Sequence, residues 1–371
     1  MGNVDSRCKH DKGYLMVQTA QAQYYPGQQV TGTIFLRTFV PVEAQYIELE
    51  IMGKEKASFE TRVNRDNEWH DEKHKTKKTL WHFKQPCFTF AVPILAAGDY
   101  AIPFSFQLPS NIPSSVFYKN KHIQGKPKAM VKYLIRAALV DHHKHSQMKY
   151  KQVLIVREYD QAFQTNLKST SENQITTGCC VNQGTSRLEV EFEKNVFEPT
   201  EVCRASVNLD NSRCNVALTN VRLAVEQTVW IQAQGHTFSQ TFTLSDRSES
   251  GVDARHQGVV HKHLELPLST IRYEVSDQKK KGGHMKPISQ EDLFMMRQIQ
   301  PACHGHHVRI DYHMTVRCAF QGCTCCAALP HAKIPLSIVP IVNPSCTGYQ
   351  QPQDFNPHYY DAYSAQVHMQ H

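Results

Sequence analysis

The same strand opening is written into this chain twice, once near each end, and that repetition limits what the chain can fold into. Pro26-Gly27-Gln28 leads into Val30, Gly32, Ile34 and Leu36, and Pro199-Thr200-Glu201 leads into Cys203, Ala205, Val207 and Leu209. In each copy a turn precedes apolar or small side chains at every second position with mostly polar residues between them, the pattern of a half-buried strand. At ~100–200 residues per domain, 371 residues accommodate two such units in tandem.

Further stretches alternate in the same way. Tyr46-Ile47-Glu48-Leu49-Glu50-Ile51, Lys132 to Ala137 and Arg187 to Phe192 each read as a strand with one wet face. A helix is expected only over Ser289 to Ile299, where Leu293, Met296 and Ile299 recur at helical spacing behind a capping serine. The second half also echoes the first beyond its opening: Phe104, Phe106 and Leu108 precede a proline turn as Leu264, Leu266 and Leu268 precede Ser269. The fold class is therefore all-β, with two tandem immunoglobulin-like β-sandwiches. No uncharged run approaches the ~20 residues of a bilayer-spanning helix.

The order of these pieces resembles the arrestin family. In the first half Pro-Gly-Gln opens a strand, Ala44 to Gly53 ends in Gly-Lys-Glu, and a charged insertion follows. The most specific run is Leu95 to Val116, with Gly98-Asp99-Tyr100, Pro103 to Pro109 and Ile112-Pro113-Ser114-Ser115. In the second half Phe197-Glu198-Pro199 opens a strand, Asp210-Asn211-Ser212 closes it, and Val308 to Tyr312 lies near the end. The resemblance divides the chain into an N-terminal segment 1–12, an arrestin-like N-domain 13–165, a linker 166–180, a C-domain 181–343 and a disordered tail 344–371.

What the resemblance implies is a non-catalytic adaptor. Such a protein binds cytoplasmic tails of membrane receptors or transporters, phosphorylated or not, and links them to endocytic adaptors and the trafficking machinery. It would be cytoplasmic and peripheral at the plasma membrane or endosomes. The chain is most similar to the arrestin-domain-containing branch, yet that branch's Pro-Pro-x-Tyr motifs for ubiquitin ligases are missing, since no Pro-Pro pair occurs. The buried charged cluster with which visual and β-arrestins sense phosphate is not legible here. A retromer-like coat subunit and a metal-stabilised scaffold are the alternative readings.

Other motifs stand independently of the family. Met1-Gly2-Asn3-Val4-Asp5-Ser6 fits N-myristoylation at Gly2, with Cys8 placed for S-palmitoylation. One myristoyl chain holds a membrane only marginally, so a second acyl group or nearby cations are needed. No apolar leader stands at the N-terminus, which argues against secretion.

From Arg62 to Lys84 the sequence is almost wholly polar, with Lys73, Lys75, Lys77 and Lys78 bracketed by Trp69 and Trp81. It reads either as a loop whose lysines suit phosphorylated tails or anionic membrane, or as a merely solvated loop or hairpin with the tryptophans folded back onto the sandwich. A second basic group includes Lys119 and Lys121. No recognised module supports nucleic-acid binding. In the tail, Asn356-Pro357-His358-Tyr359 matches Asn-Pro-x-Tyr, which endocytic adaptors read. Histidines cluster at His142-His143-Lys144-His145 and His304-Gly305-His306-His307 and read as surface residues at loop tips.

Twelve cysteines are many for a reducing compartment. No cofactor is called for, but Cys179, Cys180, Cys323, Cys325 and Cys326 could enclose a structural zinc if the segments bearing them meet. Reduced thiols and acylation of Cys325-Cys326 compete with that reading. Catalysis finds no support: there is no Gly-x-Ser-x-Gly elbow, no phosphate loop and no His-Glu-x-x-His.

Overall fold

The computed structural model describes residues 9–158, 162–178, 181–273, 275, 278–281, 284–288, 290–324, 328–342, 355–360 and 363–364. In chain order the first half supplies β1 (Lys9–His10), β2 (Gly13–Thr19), β3 (Gln29–Thr38), β4 (Val42–Glu43), β5 (Tyr46–Arg65), β6 (Glu68–Thr89), β7 (Ile94–Leu95), β8 (Gly98–Gln107), β9 (Val116–Lys119), β10 (Lys128–Val140) and β11 (Ser146–Leu154). The second half supplies β12 (Thr165–Thr177), β13 (Val181–Lys194), β14 (Val196–Phe197), β15 (Val202–Cys214), β16 (Leu218–Ala233), β17 (His236–Val252), β18 (Val259–Pro267), β19 (Gln278–Lys281), β20 (His284–Pro287), the helix α1 (Gln290–Arg297), β21 (Cys303–His304), β22 (Val308–Phe320) and β23 (His331–Ile338). Beyond it lie β24 (His358–Tyr359) and β25 (Tyr363–Ser364).

Each half is a two-layer sandwich. In the first, a sheet ordered β1-β2-β3-β8 packs on a sheet ordered β11-β10-β5-β6, with β9 also on β10. In the second, β12-β13-β15-β18 faces β14-β23-β22-β16-β17. The alternating positions do what their period requires: Val30, Ile34 and Leu36 of β3, and Cys203, Ala205, Val207 and Leu209 of β15, are buried. Gly53 has a packing reason. It lies directly opposite Tyr133, and a Cβ there would come within 2.6 Å of the Tyr133 ring. The ring fills the space, and its hydroxyl donates to the Pro113 carbonyl at 2.8 Å.

Two expectations are corrected and one alternative is decided. The stretch 166–180, read as a linker, is for the most part strand β12, paired with β13 from Thr165↔Lys194 to Thr177↔Val181. Of the readings open for the charged insertion the hairpin holds: β5 and β6 pair from Tyr46↔Thr89 to Arg65↔Glu68. Trp69 is exposed at its tip, while Trp81 packs beside Phe106 with centroids 6.0 Å apart. Residues 358–359 and 363–364, read as disordered tail, run parallel to β8. The helix expected near Ser289 forms at Gln290–Arg297; Ser289 itself lies outside the described residues.

The long hairpin also joins the two sandwiches. Phe59 and Phe238 lie 5.9 Å apart, His74 stacks on His236 at 4.0 Å, and the Lys75 amide donates to Gln234 Oε1. From the other side α1 reaches back to the first domain, where Met295 is buried with Phe117 and Ile155.

Candidate cargo-binding surfaces

The lysines expected to bind anions come from two separate stretches, and register brings them together with Lys54 and Lys56 of β5, which the sequence did not single out. Across the sheet, Lys119 of β9 stands opposite Lys128 of β10, Lys128 opposite Ser58 of β5, and Ser58 opposite Lys75 of β6. One step along, Met130 is opposite Lys56 and Lys56 opposite Lys77. Side chains two residues apart share a face, so Lys54, Lys56, Lys73, Lys75, Lys77, Lys119, Lys128 and Lys132 lie on the outer face of one sheet. Lys78 has the opposite parity, stands across from the buried Glu55 and does not belong to the set. Lys121 follows β9 and is exposed.

The like charges are felt. Burial, then Lys73, Lys119 and Lys121, push the Lys128 ammonium below its ordinary range. Lys119 is lowered by burial and by Lys121. Glu60 neutralises part of the group, accepting from Lys73 at 3.3 Å and Lys126 at 2.8 Å. Lys56, Lys75, Lys77, Lys119, Lys121 and Lys128 have no carboxylate partner among the described residues. Like charges directly opposed across strands are destabilising, so an anion laid on this face relieves a cost already present.

The second domain presents a different face. A shallow cavity of about 520 Å³ lies on β12, β13, β15 and β18, where Glu189, Glu191, Lys168, Asn208, His261 and His263 meet. Its charges are largely cross-paired, as in Lys168–Glu191, Arg187–Glu189 and Arg204 with Glu193 and Glu265.

The domains are locked by the turn after β21, whose His304 and His306 are exposed as expected but whose backbone faces the first domain. Glu55, with no exposed surface, accepts the His307 amide at 2.8 Å and the His306 amide at 3.2 Å. Beside it the His304 imidazole bridges the domains, with Nδ1 3.3 Å from Glu158 and Nε2 3.0 Å from Asp311. Those two carboxylates raise its pKa to about 10, Asp311 contributing most. Gln300 accepts the Phe117 amide at 2.8 Å. A signal for Glu55 existed: it occupies the inward register of Ile51, Ala57 and Phe59, where a charge demands a partner. A second buried charge, Arg157, also went unrecognised. Its Nη1 donates to the Ser115 carbonyl at 3.1 Å, while Nε and Nη2 meet no acceptor among the described residues, and burial lowers its pKa to about 10.

Gly2, Cys8, Cys179, Cys180, Cys325 and Cys326 lie outside the described residues. Cys323 is exposed, and the Gly178 amide donates to its carbonyl at 3.0 Å, which fastens the β12–β13 and β22–β23 connections to each other. No group of three metal-binding side chains occurs among the described residues. Asn356 and Pro357 lead into β24, where Tyr359 is exposed and paired with Ala101. Phe355 is buried against Met16, Phe35 and Ala101 under Arg37, and the Asn356 amide donates to Asp99 at 3.0 Å. Among the described residues no helix is long and apolar enough to cross a membrane.

Two β-sandwiches joined by a polar lock define a tandem two-domain β-sandwich protein. Residues 15–162 match the family model "Arrestin (or S-antigen), N-terminal domain" and residues 182–343 match "Arrestin (or S-antigen), C-terminal domain". The chain belongs to the arrestin family. It is 24% identical over 206 residues to arrestin domain-containing protein A of Dictyostelium discoideum, covering 53% of this chain and 34% of that protein. It is 23% identical over 251 residues to arrestin domain-containing protein 5 of Bos taurus, covering 66% and 69%. With arrestin domain-containing protein 17 of Caenorhabditis elegans the identity is 22% and the coverage 59% and 52%. These relatives place it with the arrestin-domain-containing branch; the chain spans only about a third to a little over two thirds of their lengths.

Proposed function

We propose that the protein is a non-catalytic adaptor that binds cytoplasmic tails of membrane proteins through its N-domain and links them to endocytic machinery. The observation that supports this reading is the lysine face. Lys56, Lys75, Lys77, Lys119 and Lys128, from β5, β6, β9 and β10, stand on one sheet face with no carboxylate partner among the described residues, a cluster of donors that suits charge-assisted hydrogen bonds to phosphate. Acylation at Gly2, reinforced at Cys8, would keep the adaptor beside its cargo at the plasma membrane or endosomes. The Asn356-Pro357-His358-Tyr359 segment would engage endocytic adaptors.

The test is titration of a multiply phosphorylated receptor-tail peptide and its unphosphorylated twin against wild type and a Lys75→Glu/Lys77→Glu/Lys128→Glu variant. Each exposed contact contributes about 0.2–1 kcal/mol, so the triple reversal should weaken phosphopeptide binding about tenfold. Equal affinity of variant and wild type for the phosphopeptide would retire the lysine face as the cargo site.

A further inference from the structure

We propose that the end of the first sandwich remote from the second domain is a docking tip that places apolar side chains in the boundary of an anionic bilayer. Two uncharged loops build it: Phe39-Val40-Pro41 after β3, and Ala91 to Ala97 around β7. They are fastened together, since Val42 pairs with Leu95 and Glu43 with Ile94, the Ala44 amide donates to Pro93 at 3.0 Å, and Thr38 Oγ1 donates to Ala96 at 2.7 Å. Val42 and Leu95 turn inward and close the core, which leaves their neighbours outside. Phe39 is 51% exposed, Val40 48%, Val92 52% and Ile94 57%. Four of the eleven exposed large hydrophobics among the described residues thus meet at one extremity, a grouping that isolated surface apolar residues do not show.

The rim is cationic. The Phe39 amide donates to the Lys12 carbonyl, and Lys12 Nζ donates to Gln147 at 2.8 Å, so the β1–β2 turn and the 141–145 turn stand beside the loops. They bring Lys9, Lys12, Lys144 and Lys149 with His10, His142, His143 and His145, against the exposed acids Asp11 and Glu43 and the buried Asp141, which caps its own turn. Apolar side chains ringed by cations match the headgroup and acyl layers of an anionic membrane. Lys9 leaves from this same end, and Gly2 stands seven residues before it. That is at most ~25 Å of extended chain, so an acyl group there would enter the same bilayer. The tip extends the adaptor reading without resting on it, because docking is measured with no cargo present.

The experiment uses full-length protein with Gly2→Ala, so that no acyl group contributes, sedimented with vesicles of phosphatidylcholine containing 30% phosphatidylserine or none. Val92→Ser/Ile94→Ser should lower the partition coefficient on anionic vesicles at least about tenfold, as each branched side chain leaving water contributes roughly that factor. The exposed substitutions should leave the thermal midpoint unchanged. The Lys75→Glu/Lys77→Glu/Lys128→Glu variant should keep most vesicle binding while losing phosphopeptide binding. Partition unchanged by the tip substitutions overturns the proposal. So does a concentration-dependent dimer that Val92→Ser/Ile94→Ser dissolves, since the tip would then serve a second copy of the chain.

Discussion

Substituting Glu55 should loosen the two domains from each other before it loosens either one. Its carboxylate is wholly buried and accepts two amides from the other domain, at 2.8 and 3.2 Å. A hydrogen bond to a charged group contributes about 1.5–3 kcal/mol. Glu55→Gln keeps the shape and one acceptor but turns an NH₂ toward a backbone N–H, so one such bond is lost and a donor meets a donor. The neutral amide is cheaper to bury than a carboxylate, which offsets part of this, and a net loss of about 2 kcal/mol follows. Glu55→Ala leaves both amides without an acceptor and, at about 1–3 kcal/mol for each unsatisfied donor, should cost about 2–6 kcal/mol. Hydrogen exchange reads the lock locally. If the His306 and His307 amides exchange by opening of the interface, Glu55→Gln should speed them about 30-fold, with the buried amides of Leu36 and Val207 little changed. Unaltered protection at His306 and His307 in both variants would falsify the assignment of Glu55 as the interdomain lock.

Other perturbations test neighbouring parts of the account. The His304 pKa is raised from 6.5 to about 10, so its stabilisation is complete below about pH 6.5 and is lost as pH rises through 10. With the imidazole 39% exposed, the effect is discounted to about 1 kcal/mol. Urea titrations of wild type and His304→Gln should therefore converge between pH 6.5 and pH 10, and parallel curves count against the bridge. Gly32→Ala would drive a Cβ into the Gln18 carbonyl and the Phe104 ring and should cost about 1–3 kcal/mol, whereas Gly98→Ala meets nothing nearer than 3.5 Å and should stay within about 0.5 kcal/mol. Equal midpoints for those two variants would contradict the β3–β8 packing. Phe355→Ala removes the tail's buried anchor and its contact with Arg37 at 5.1 Å, so the His358 and Tyr359 amides should lose protection from exchange. Binding of endocytic adaptors should then depend on Tyr359, and Tyr359→Ala pull-downs that match wild type would remove the motif. Elemental analysis checks the structural-zinc proposal for Cys179, Cys180, Cys323, Cys325 and Cys326: about one equivalent per chain supports it, and a trace ends it.

The parts that were legible and those that were not differ in the range of the interaction. Val30 to Leu36 and Cys203 to Leu209 announced strands because burial on one face imposes a period of two along the chain. Strand β12 did not, since along Thr165–Thr177 only Ile175 is buried; an edge strand wet on nearly every side has no apolar period to show. The hairpin of β5 and β6 was hidden for a related reason. Toward its tip, beyond Phe59 and His74, the side chains are largely polar and exposed, so no apolar period announces the pairing.

Site residues divide along the same line. That lysines at 73–77 and 119–121 could bind anions is chemistry any sequence displays, but that Lys119, Lys128 and Lys75 share a row depends on pairings between residues up to 70 positions apart. The turn at His304–His307 is an inter-strand turn with exposed His304 and His306, as its sequence indicated, but nothing local shows that its amides face a carboxylate of the other domain. The sequence by itself determined the duplication, the half-buried core strands, the arrestin kinship and the kinds of side chain available for recognition, because backbone periodicity and residue chemistry are local properties. Only the tertiary structure decided which lysines converge, that Glu55 and His304 hold the domains together, and that Phe39, Val40, Val92 and Ile94 form one surface. Those outcomes depend on register and packing between segments distant in the chain, which no local pattern encodes.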